Sequence, residues 1–164
     1  MLERPCPECG FDTRAFPVQE VATLVRENAL VFRRLLDEGV IGSARPAATT
    51  WSPLEYACHV RDVYRRYRER IDLMLSQDDP LYPNWDQDAT AVDDRYGEQA
   101  APAAVEELAA AAATVAAQLD GVSGADWQRP GRRSDGASFT VETLARYMIH
   151  DPVHHVWDIT HTPR

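Results

Sequence analysis

The sequence predicts an all-α protein, a four-helix bundle preceded by a short Cys-x-x-Cys turn. Three observations carry this. Four segments of roughly 17–24 residues place apolar residues at helical spacing. One of them opens on an unusually complete start signal. No stretch sustains the period-two alternation of a half-buried strand.

Residues 1–16 are a turn-rich lead in which "CPECG" reads as a knuckle-like turn. The first helix is predicted over 18–38. Val21, Leu24, Val25, Leu30, Val31 and Leu35 recur near a 3.6 period, Pro17 suits the first turn and Gly39 the stop. "TWSPLEY" then opens the second helix, 53–76. Ser52 is the N-cap, Pro53 fits N1, Glu55 completes a capping box, and Trp51 can staple onto Tyr56. Tyr56, Val60, Val63, Tyr67, Ile71 and Met74 form its apolar stripe. Arg61, Arg65, Arg66, Arg68 and Arg70 read mostly as its solvated side.

Residues 77–100 read as irregular and acidic, and loops of that length are often functional. "DQDATAVDD" lacks the glycine and the terminal glutamate of a calcium loop. The alanine-rich third helix is predicted over 102–119 and the fourth over 140–159, capped by Thr140. The connections 39–52, 77–100 and 120–139 exceed what adjacent antiparallel helices need, which favours crossovers. One bundle domain is therefore expected over 17–160, with 161–164 as a tail.

The composition narrows the function classes. A chain of 164 residues with 45% hydrophobic content can bury its own core. Its formal charge of −9 disfavours nucleic acid and anionic membrane surfaces as partners. No apolar run reaches the roughly 20 residues of a membrane span, and the charged N-terminus is not a secretory signal. A cytoplasmic protein is expected. Three cysteines without a secretion signal argue against a disulfide framework.

The chemistry concentrates in "MIHDPVHHVWDI". His150 and His154 are i, i+4, so both imidazoles lie on one helix face and can chelate one divalent ion. The third ligand that fits is His59, at the edge of the second helix's apolar stripe. The plain alternative is a solvated polar pair and a satisfied core histidine. His155 lies about 100° from His154, outside that tripod, as an orienting donor, a helix-dipole partner or an interface residue. Asp62, Asp151 and Asp158 are available to orient ligand imidazoles. Pro152 is placed to kink the helix between the candidate ligands. Cys6 and Cys9 allow three readings: a metal shared with histidines, the bundle's own ion or another; a redox dithiol; or an ordered turn with free thiols.

"WSPLEYACHVRDV", with its histidine eight residues after the tryptophan, followed by "HDPVHH", resembles the DinB-like metal-binding four-helix-bundle superfamily over about residues 18–160. The resemblance implies an up-down-down-up bundle and a divalent ion, zinc or nickel, where the second and fourth helices meet. It implies His59, His150 and His154 as ligands, and often a homodimer. Related members include mycothiol-dependent maleylpyruvate isomerase and bacillithiol transferases, which use the metal to activate a low-molecular-weight thiol. The isomerase carries a further C-terminal domain that is not matched here, and histidine stands where it has glutamate at the first position of the late motif. Two functions are therefore expected: a metal-dependent thiol S-transferase acting on a small electrophilic substrate, or a non-catalytic metal-binding, structural or sensing bundle closed by the cysteines.

Overall fold

The computed structural model describes residues 4–161; the last three residues of the expected tail lie outside them. Its main helices are α1 (Val21–Asp37), α2 (Pro53–Ser76), a short α3 (Gln87–Asp93), α4 (Ala101–Asp120) and α5 (Val141–His161). α2 starts where its signal places it. Glu55 N–H donates to Ser52 Oγ at 3.2 Å, and Ser52 N–H donates back to Glu55 Oε2 at 2.7 Å. The Trp51 and Tyr56 rings meet edge-on with centroids 5.7 Å apart. The first helix begins later than expected, because Val18–Glu20 form a 3-10 turn.

α1 and α2 occupy opposite corners of the bundle. Each packs against both α4 and α5. The alanines of α4 allow this close double contact: Ala104, Ala112 and Ala116 are buried beside Val105, Leu108 and Val115. α1 contributes Val21, Val25 and Phe32, α2 contributes Val60, Val63, Ile71 and Met74, and α5 contributes Leu144, Met148 and Ile149. Leu30, expected in the first stripe, is 68% exposed, and Phe32 fills the core instead.

Two expectations are corrected. Arg61 and Arg70 are not on a solvated face but buried. Arg61 is neutralised by Asp62 and Glu107. Arg70 lies over the Tyr67 and Tyr82 rings and donates to the Pro83 carbonyl at 3.1 Å. The connections also contain a small sheet. β1 (Leu81–Tyr82) pairs parallel with β2 (Pro130–Arg133), which pairs antiparallel with β3 (Ser138–Thr140). Strands this short carry too few residues for alternation to show. The sheet joins the two long connections and sets Trp85 and Arg133 beside α5.

α5 runs through Pro152 without breaking. The buried Asn28 of α1 donates to the Pro152 carbonyl at 3.0 Å, and the Tyr64 hydroxyl of α2 donates to Asn28 Oδ1 at 2.9 Å. A buried polar chain thus fixes α5 at the turn that carries the histidines.

Candidate metal centre

Two groups of ligand-type side chains share this turn of α5. His59, Asp151 and His155 form one; Cys6, Cys9, His150 and His154 form the other. In each, the donor atoms lie within 4.8 Å of one another. The expected set of His59, His150 and His154 is therefore not assembled as a unit. The reason is helical phase. α2 packs on the side of α5 that presents Asp151 and His155, while the lead packs on the side, about 100° away, that presents His150 and His154.

The inner group is the more enclosed. His59 is fully buried. Its ring stacks on Trp85 at 5.2 Å and lies 5.1 Å from the Trp51 ring. His59 Nε2 is 3.1 Å from Asp151 Oδ2, and its buried Nδ1 has no hydrogen-bond partner. His155 Nδ1 pairs with Asp158 Oδ2 at 2.8 Å. A proton on that Nδ1 leaves Nε2 as a lone pair facing the group. That Nε2 is buried, has no hydrogen-bond partner, and lies 3.5 Å from Asp151 Oδ1. Burial pushes the Asp151 carboxyl upward, but the hydrogen bond from His59 and the nearby histidines hold it below the usual carboxylate range.

The outer group joins the lead to α5. Cys6 Sγ is 3.7 Å from His154 Nδ1, and Cys9 Sγ is 3.7 Å from His150 Nε2. His154 Nε2 faces Glu8 Oε2 at 3.2 Å and Asp158 Oδ1 at 3.6 Å. The knuckle closes through Cys6 N–H to the Phe11 carbonyl and Gly10 N–H to the Cys6 carbonyl, both 3.0 Å, with Gly10 at φ +73°. Burial raises the Cys6 thiol, but backbone N–H groups of Cys9 and Glu8 bring it below its ordinary value. Burial and the neighbouring His154 hold His150 below the ordinary imidazole range.

The expected orienting residues separate. Asp158 touches both groups. His155 is a member of the inner group rather than a support to it. Asp62 is taken up by Arg61, Arg65 and the Tyr96 hydroxyl, the last at 2.7 Å. Asp151 is the member that sequence reasoning underweighted. The signal was present, because Asp151 and His155 have the same i, i+4 spacing as His150 and His154.

A polar cavity of about 330 Å³ opens beside Asp151 of the inner group and His150 of the outer one. Tyr67, Arg70, Trp85, Arg133 and Tyr147 contribute to its lining. A larger cavity of about 450 Å³ is bordered by Trp51, Tyr56 and Asp158, but by none of the seven candidate ligands.

The model of the DinB superfamily matches residues 18–159. The chain belongs to that superfamily. Among solved structures, this DinB member is similar to YfiT from Bacillus subtilis, described as a probable metal-dependent hydrolase with an unusual four-helix bundle topology. The two are 14% identical with a TM-score of 0.75, over 87% of this chain and 85% of YfiT. No curated protein sequence matches the chain. Among the described residues, no helix is long and apolar enough to cross a membrane.

Proposed function

We propose that His59, Asp151 and His155 hold a divalent cation, zinc or nickel, and that this site activates a low-molecular-weight thiol for transfer to a small electrophile. The carrying observation is that this group offers three donors, with Asp151 at the edge of a polar cavity, while Cys6 and Cys9 lie against His154 and His150 instead. Three protein ligands with an open position are the pattern of catalytic zinc.

The residues fit such an ion. Two donors about 2.1 Å from a tetrahedral centre lie about 3.4 Å apart, close to the 3.1 and 3.5 Å separations here. The buried His155 Nε2 faces the group without a hydrogen-bond partner. Asp158 selects the His155 tautomer, and Trp51 and Trp85 fix the plane of His59. An ion bound here supplies Lewis acidity that lowers the pKa of a bound thiol or water. Asp151 makes the ligand set monoanionic, so the net local charge is lower than three imidazoles would leave. Arg70 supplies positive charge at the cavity wall, suited to orienting a carboxylate or phosphate on the thiol or its acceptor, while Arg133 beside it is paired with Asp135.

The likeness to YfiT favours a second reading, in which water is the nucleophile and the reaction is hydrolysis. One assay separates the two. The zinc- or nickel-loaded protein is given a chromogenic electrophile with mycothiol, bacillithiol, glutathione or coenzyme A, and ester and amide substrates without thiol. Thiol-dependent turnover that falls at least 100-fold in His59→Ala supports the transferase. Metal-dependent turnover without thiol supports the hydrolase. Bound metal with neither activity overturns both and leaves a metal-binding module.

A further inference from the structure

We infer that Cys6, Cys9, His150 and His154 form a second metal site, a closed tetrahedral zinc site that staples the N-terminal lead onto α5. The inference stands whether or not the inner group is catalytic, because no donor is shared.

The geometry and the chemistry agree. Zinc bonds of about 2.3 Å to sulfur and 2.0–2.1 Å to nitrogen, at the tetrahedral angle, separate S from N by about 3.6 Å. The two measured S–N separations are both 3.7 Å. All four donor atoms lie within 4.8 Å of one another, so one ion can reach them all. Two thiolates and two imidazoles are the donor set of a structural zinc site, with no position left for a substrate. The "CPECG" turn, closed by the bonds from Cys6 N–H to the Phe11 carbonyl and from Gly10 N–H to the Cys6 carbonyl, brings both sulfurs to the same group of donors. On the other arm, His154 Nε2 faces the carboxylates of Glu8 at 3.2 Å and Asp158 at 3.6 Å, and a proton on that nitrogen leaves Nδ1 as the lone pair facing Cys6. Both cysteines are free thiols here, half-buried rather than exposed.

Binding converts the two thiols to thiolates and releases their protons to solvent; the imidazoles bind as neutral ligands. Most of the lead's other anchors lie beyond residue 10, where Phe11 and Phe16 pack against the core. Thr13 is buried, Phe11 packs near His150, and Arg146 donates to the Arg14 carbonyl at 3.1 Å. The zinc would therefore supply most of the hold on residues 6–10. Asp158 adds a link between the groups, since one of its oxygens faces His154 and the other His155.

Cobalt(II) substitution of the full-length protein tests this, with zinc content measured in parallel. The expected result is a thiolate-to-cobalt charge-transfer band that persists in His59→Ala. The band is lost in the Cys6→Ser, Cys9→Ser double variant and in His154→Ala, each of which loses one zinc equivalent. Far-UV circular dichroism confirms that the variants remain helical. Cobalt bound without a thiolate band would overturn the inference. So would a band that disappears in folded His59→Ala, which would mean one shared ion. So would cysteines that react fully with a thiol reagent under saturating zinc. A failure of the inner site alone shows as lost turnover with the band intact.

Discussion

The two donor groups on α5 use the same i, i+4 spacing, and on the assignments proposed above they serve opposite coordination chemistry. The inner one pairs Asp151 and His155 with His59 from the bundle, giving three donors, aromatic walls and a bordering polar cavity. The outer one pairs His150 and His154 with Cys6 and Cys9 from the lead, giving four donors. The same helical repeat would then serve an open site or a closed one according to what packs against each face. A motif of the HxxxH kind therefore specifies direction and spacing, while the partner element decides function.

The largest effects should come from breaking one group at a time. Asp151→Ala and His155→Ala should each lower turnover at least 100-fold while leaving the thiolate–cobalt band in place. The Cys6→Ser, Cys9→Ser double variant should remove the band and lower turnover no more than about tenfold, because the inner ligands stay on the bundle. Equal losses of turnover in both kinds of variant would erase the distinction. Asp158→Ala comes next. Removing an orienting carboxylate typically costs about 10–100-fold in metal affinity. Here competition with a chromophoric chelator should show weakening at both groups at once.

These outcomes also bear on what the sequence could reveal. The limits of α2 and its capping box were legible because their causes are local: Ser52, Pro53 and Glu55 lie within four residues. The chemical types were legible too, since His59 and the late histidine cluster carry the resemblance. The pairing was not. Whether His59 meets His150 and His154 or Asp151 and His155 depends on a rotation of about 100°, set by α2, Asn28 and the lead together. The small sheet was missed because its strands have two to four residues. The buried Arg61 was missed because its partners Gln99 and Glu107 are distant in sequence.

Two smaller effects test how α5 and α2 are held. Asn28→Leu should cost about 1–3 kcal/mol by stranding the Tyr64 hydroxyl and the Pro152 carbonyl, read as a lower denaturant midpoint. It should affect both metal groups alike. The least effect is expected at Glu55, distant from the outer group. Burial raises its carboxyl, but Arg45 and the Ser52 donors hold it below the usual range. The unfolded chain then binds more protons in acid, so this stabilisation is complete above about pH 4.3. It is lost as the pH falls through the lowered native value. Glu55→Gln should therefore flatten the acid limb of a Tm-versus-pH curve. At neutral pH it should cost no more than about 1 kcal/mol, because Arg45 is partly exposed to solvent.

The interleaving of the two donor pairs has a consequence for sequence change along α5. Residues 150, 151, 154 and 155 amount to two messages written in adjacent phases of one helix. Deleting a single residue between Thr140 and His150 would turn the downstream helix by about 100° and take both pairs away from their partners. Asp151 and His155 would then face the thiols, and Pro152 and Val156 would stand opposite His59 and the tryptophans. Substitutions can drift at either group separately, but insertions and deletions in this stretch strike both together. The segment is accordingly expected to tolerate changes of letter far better than changes of length.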